Sequence, residues 1–370
     1  MSIIQRTLLV AFVSITLALS AGCQTISKKA NQNKTHTPSY LVYEFGLHLQ
    51  GEQHFDPSWL DTQAFTERVN RSYKEMNGIL EIPHLDRVMN KAMIETIARL
   101  YHNTNPECFQ IDASFEDSLV NAQLECTVGE GFVIFELLID TKDNAHKLID
   151  FKSISNGAWM SEILAAVFAD RAGFAKIKAS YDLIKQARNG KLDYSKYYSL
   201  NGYIKTNRML GISFNSANTD PKLRKEISIA LQQLCPTDPA CAISTLDYYF
   251  ETEQHTKAIE VLEVARKGYP RSEFINHSLA ILNLRTNNHQ SAIQSAKNLI
   301  WARPSVAQGY IQLFKASSVS ENYDLAIYAA AALIKGFNVK PEDITNSYTK
   351  LMANKPDFWS DVQAAIDESK

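Results

Sequence analysis

Three prolines, Pro236, Pro270 and Pro304, stand 34 residues apart, and three alanines, Ala258, Ala292 and Ala326, form a second ladder with the same step. Two ladders at one period restrict the fold more than any other feature of the chain. A segment of that length holds two helices and a turn, and one such hairpin cannot bury its apolar face alone, so successive units must stack. Each proline ends a second helix, because it has no amide to donate and its ring clashes with the turn behind it. Small residues such as these alanines let helices pack closely. The clearest units span 239–340, and stepping back from Pro270 to Pro236 puts a degenerate unit over about 205–238.

This period and these ladders resemble the tetratricopeptide repeat (TPR). The resemblance implies small residues at three packing positions per unit, met by Ala258, Ala265, Ala280, Ala292 and Ala326 and not by Leu246 and Phe314. It also implies a groove lined by outward positions of each first helix. Those positions are Asp247, Phe250 and Glu251 in one unit, His277, Ile281 and Arg285 in the next, and Ile311 and Lys315 in the third. Their charges are mixed, and the strongly basic clamp of chaperone-binding repeats is absent. The expected partner is a protein or peptide read by helix faces; the plainer reading makes these ordinary solvated positions.

The N-terminus carries a different signal. Arg6 precedes an apolar run over 8–19, and Ser20, Ala21 and Gly22 lead into Cys23. The run is too short to span a bilayer and has the length of a signal-peptide core. Small residues before a cysteine resemble the lipobox of bacterial lipoproteins, although Leu19 stands four before the cysteine and Ser20 takes the usual leucine position. The resemblance implies a signal peptide over 1–22 and acylation of Cys23; an ordinary secretory signal would export the chain equally. Gln24 implies sorting to the Gram-negative outer membrane, on its periplasmic face. Residues 23–38 then read as a polar tether.

With Cys23 lipidated, four of the five cysteines remain, an even number in a compartment where disulfides persist. Cys235 and Cys241 bracket a Pro-Thr-Asp-Pro turn between two helices, close enough to bond. Cys108 and Cys126 flank a hairpin tip at Asp117. Alternation puts Phe109, Ile111, Ala113 and Phe115 on the core face of one strand and Val120, Ala122, Leu124 and Cys126 on that of the other. Cys108 then points away from Cys126 unless a bulge shifts the register.

Between the tether and the repeats the alternation of Leu41, Tyr43, Phe45, Leu47 and Leu49 predicts a strand, with a helix through Leu41, Phe45 and Leu49 as the competing reading. A helix follows Asp56 and Pro57 and carries Phe65, Val69, Tyr73 and Met76; another follows Pro83, with Leu85 to Leu100 on one face. Four antiparallel strands fill 108–154. The expectation is an α+β domain over 39–158, helices on a cystatin-like or NTF2-like sheet, then an all-α TPR-like solenoid over 159–370. The hairpin FVIFELLIDTKDNAHKLIDFKSISNGAWMS, with Asp150, Gly157 and Ser161, resembles that of an uncharacterised group of bacterial TPR-containing proteins. The group supplies a domain order and no mechanism. A long helix over 160–188 and a partner over 194–209 follow.

Composition narrows the function further. A formal net charge of -2 leaves no basic surplus for nucleic acid. None of the nine histidines sits in a zinc pattern, and His48 with His54 is the nearest pair. No nucleophile elbow occurs, since the stretch from Gly211 ends on Asn215. Asp140 and Asp150 could converge at the hairpin ends, or serve as turn and strand-end residues. The reading is therefore a non-enzymatic, lipid-anchored scaffold without cofactor or metal. The alternatives are a small-ligand module using a cavity in the α+β domain, and a hydrolase with a dispersed triad.

Overall fold

Helix starts keep the 34-residue step. In the computed structural model, which describes residues 38–49, 57–77, 107–128, 131–142, 146–155, 157–169, 171–347 and 349–368, helices open at Pro239, Glu273, Ala307 and Pro341. A second series opens at Pro221, His255, His289 and Tyr323 with the same interval. Cys23, the signal segment, the tether, the helix expected after Pro83 and His54 lie outside the described residues. The chain forms two compact units, the first ending at Thr252 and the second starting at Glu253.

The first unit opens with α1 (Pro38–Leu49), a 3-10 turn (Pro57–Trp59) and α2 (Thr62–Asn77). The strand expected through Leu41 is a helix. Its buried residues, Leu41, Val42, Phe45 and Leu49, keep one helical face inward, while Tyr43 is exposed. Asp56 lies outside the described residues, and Pro57 opens the 3-10 turn; α2 begins at Thr62, where the Asp61 carboxylate accepts from the Ala64 amide at 2.8 Å.

Strands β1 (Glu107–Glu116), β2 (Leu119–Val128), β3 (Gly131–Asp140) and β4 (Lys147–Ser153) form one antiparallel meander in sequence order. Phe45 of α1 packs edge-on to Phe135 and lies against Phe151, so α1 covers the face that carries Val120, Ala122, Leu124 and Cys126. Cys108 also belongs to that face, which corrects the expectation from alternation. The register shifts between Gln110 and Asp112, leaving Ile111 as the extra residue, and this turns Cys108 toward Cys126. The two sulfurs are bonded, with Cα atoms 4.0 Å apart. Phe115, expected in the core, is 75% exposed at the far end of the edge strand.

After the sheet come α3 (Met160–Ala169), α4 (Arg171–Arg188), α5 (Tyr194–Thr206), α6 (Arg208–Ala217), α7 (Pro221–Leu234) and α8 (Pro239–Glu251). The single long helix expected over 160–188 is two, because its halves serve different neighbours: α3 packs on α2, and α4 packs on α5 and α6. The partner helix stops at Thr206, where Asn207 ends α5 and caps α6 through the Leu210 amide. Cys235, at the end of α7, is bonded to Cys241 in the first turn of α8.

The second unit continues with α9 (His255–Gly268), α10 (Glu273–Arg285), α11 (His289–Ala302), α12 (Ala307–Val319), α13 (Tyr323–Phe337), α14 (Pro341–Ser347), α15 (Thr349–Asn354) and α16 (Phe358–Glu368). From α9 to α13 each helix packs on the next, α10 also touches α12, and α16 closes on α13. Ala258, Ala265, Ala280, Ala292 and Ala326 are all fully buried. Each first helix ends through the same left-handed residue: Glu253, Asn287 and Glu321 have φ of 55°, 59° and 58°. The amides of Asn288 and Asn322 then reach back to the carbonyls of Asn283 and Ser317, closing the helix ends. No helix among the described residues is long and apolar enough to cross a membrane.

Candidate functional site

Three polar clusters emerge from this framework, two in the first unit and one in the second. The first is built on Asp150, fully buried on β4. The Arg68 guanidinium on α2 meets its Oδ2 at 3.0 Å, the Ser161 hydroxyl on α3 donates to the same atom at 2.6 Å, and the Phe151 amide donates to Oδ1 at 2.9 Å. Burial pushes the Asp150 carboxyl above the usual carboxylate range, against the pull of Ser161 and Arg68. Arg68 also lies over the Trp159 ring, 5.5 Å from its centroid. The Arg68 and Ser161 contacts of this carboxylate tie α2 and α3 to β4, while the Phe151 amide holds it within its own strand. Asp140 does not join it: its Oδ1 accepts from the Lys142 amide in the turn, and Asp150 stands opposite Leu138.

The second cluster joins α7 to α8. Arg224, buried, donates through Nε to the Asn218 carbonyl at 3.1 Å and through Nη1 to the Glu251 carboxylate. Glu251, a candidate groove residue, is thus engaged inside the first unit. Asp247, one turn earlier on α8, is raised by burial, lowered by Arg224 and raised again by Glu251. Phe250 is half-buried on the same helix.

The third cluster lies on the first helices of the second unit. Ile281 on α10 and Ile311 and Lys315 on α12 are half-buried, and Arg285 is exposed at the end of α10. His277 is 9% exposed, and its Nδ1 lies 3.2 Å from Nε2 of Gln308. Burial, then the nearby Lys315 charge, lowers its pKa to about 4, so the ring is neutral. Burial also lowers the Lys315 ammonium. Among the described residues no carboxylate pairs with Lys315 or Arg285, and Glu273, the acid of α10, is held by Arg303 at 2.6 Å. An ammonium taken partly out of water without a counter-charge is unfavourable. Lys315 is therefore a half-buried cation with no acid partner among the described residues.

Sequence spacing nominated His277, Ile281, Ile311 and Lys315 from the period, and α10 and α12 do pack together. It could not nominate Gln308, Arg224 or Arg68, because an orienting side chain leaves no periodic trace; Arg68 is 82 residues from Asp150. Under α1, Leu41, Phe45, Trp59, Leu137, Ile139 and Leu148 enclose about 10 Å³, enough for one water at most. Among the described residues no group of His, Cys, Asp and Glu could hold a metal ion. No family model, no curated protein and no solved structure matches this chain.

Proposed function

We propose that this chain is a lipid-anchored scaffold of the Gram-negative cell envelope, held on the periplasmic face of the outer membrane through Cys23, whose 34-residue hairpins are TPR units presenting a groove to a protein or peptide. The observation that carries the reading is that α10 and α12 pack together and bring His277 beside Gln308 and Lys315, with Ile281 and Ile311 half-buried on the same two helices. Aliphatic side chains supply area and Lys315 supplies a single demanding charge, the usual division of labour at an interface. The exact phasing of helix starts, alanines and left-handed turns supports the TPR assignment. The segment from Arg6 to Cys23 supports the anchor.

The test is a crosslinked pull-down from cells comparing wild type with a variant carrying Ile281→Ala, Arg285→Ala, Ile311→Ala and Lys315→Ala. Loss of specific partners is expected, and an unchanged set removes the groove. Lys315→Met separates binding from folding: replacing a strained cation by an apolar stem is expected to stabilise the chain by about 1 kcal/mol while weakening capture. The anchor is tested by Cys23→Ala, which is expected to move the chain out of the membrane fraction.

A further inference from the structure

A second charged feature lies on the first unit, well away in sequence from the groove helices. Between residues 176 and 196 the chain carries six basic residues, Lys176, Lys178, Lys185, Arg188, Lys191 and Lys196, against the acids Asp182 and Asp193. The whole chain has a formal net charge of -2, so this is a local concentration of charge. The backbone organises it. Helix α4 stops at Arg188, Gly190 follows with a φ of +66° that glycine adopts without strain, and the Gly190 and Lys191 amides close back on the Ala187 and Gln186 carbonyls at 3.0 and 2.9 Å. The Gln186 side chain accepts from the Asp193 amide at 3.1 Å, and the Asp193 carboxylate caps α5.

This frame holds Lys185, Lys191 and Lys196 around an open depression of about 290 Å³, completed by Asp182, Gln186 and Asn189. Lys185 has a structural explanation, since a cation in the last turn of α4 faces the negative end of its dipole. Lys196 has the opposite placement: it sits in the first turn of α5, where the dipole disfavours positive charge. Among the described residues no carboxylate is ion-paired with Lys185, Lys191 or Lys196. Asp193 is occupied by its cap, which leaves Asp182 as the one acid in the lining.

We infer that this depression binds a phosphate ester, either a small phosphorylated molecule or a phospholipid headgroup. Lys185, Lys191 and Lys196, from two helices and the turn between them, all line this one depression, and their ammonium donors suit a compact anion with several acceptor oxygens. The volume takes one phosphate with a small substituent and offers no track for a nucleic-acid backbone.

The test is lysine footprinting on the full chain: acetylation rates at individual lysines, read by mass spectrometry, with Lys178 and Lys225 as internal controls. The probes are inorganic phosphate against chloride at equal ionic strength, and phosphatidylglycerol vesicles against phosphatidylcholine vesicles. Selective slowing at Lys185, Lys191 and Lys196 by inorganic phosphate, about threefold at twice the dissociation constant, supports a small phosphorylated ligand. Selective slowing by phosphatidylglycerol vesicles alone supports a headgroup. Lys191→Gln with Lys196→Gln is expected to abolish the protection of Lys185 while leaving the melting temperature unchanged. The inference is overturned if no probe slows these lysines, or if Lys178 and Lys225 slow equally.

Discussion

His277 is a buried group whose behaviour with pH follows from its surroundings. Its pKa is about 4 in the folded chain, against an ordinary value of 6.5. Between those values the unfolded chain takes up a proton that the folded chain refuses. Stability associated with this ring is therefore complete above pH about 6.5 and falls as pH drops toward about 4, by up to about 3 kcal/mol. His277→Gln removes the titrating ring. Urea midpoints at pH 7 and pH 5 are expected to lie closer together in the variant than in wild type; equal spacing would show that the ring is not buried as described. Gln308 and Lys315 set this environment from the neighbouring helix, which is why His277 resembles any solvated histidine when the sequence is read alone.

At the scale of elements, Asp150 fastens α2 and α3 to the last strand. Removing one member of such a network costs more than the network contributes, because a charge is left buried without its partner. Arg68→Ala is expected to destabilise the chain by about 3 kcal/mol and Ser161→Ala by about 1 kcal/mol. The folded-state pKa of Asp150 is raised, so the cost of holding it ionised grows as pH rises through that value and disappears once it is protonated. The Arg68→Ala penalty should accordingly shrink on acidification, as denaturant titration at two pH values would reveal. The helix turns allow a prediction of the opposite sign. Glu321 holds a left-handed backbone that glycine adopts without strain, so Glu321→Gly should gain about 1 kcal/mol. Asn287→Gly should gain less, since asparagine tolerates that region. Equal melting shifts for both would contradict this account.

For the whole molecule, the division after Thr252 assigns both disulfides, Cys108–Cys126 and Cys235–Cys241, to the first unit. The change from strands to helices near residue 158 is a change of element type, while the compact units divide some ninety residues later in the helical region. Reductant releases loop entropy only to the unfolded form of the unit that holds the bridges. Calorimetry with and without dithiothreitol is expected to lower one transition and leave the other in place. A single transition that moves as a whole would mean that the two units unfold together.

Periodicity carries the order of sheet and helical hairpins along this chain. A 34-residue step suits helical hairpins, the prolines and alanines mark where helices stop and touch, and the alternation after residue 107 suits a sheet. These are local or nearest-neighbour properties, and local physics is written in sequence spacing. The tertiary structure decided what depends on distant partners. Leu41 to Leu49 alternates as a strand would, yet it is a helix, with Phe45 packed on the face of the sheet. One extra residue at Ile111 reverses the side of Cys108, and alternation cannot anticipate it. The candidate groove residues share a spacing, yet Glu251 is bound by Arg224, His277 is kept neutral by burial, and Lys315 has no acid partner among the described residues. Those differences depend on which side chains other helices bring within a few ångströms, and only the folded chain determines that.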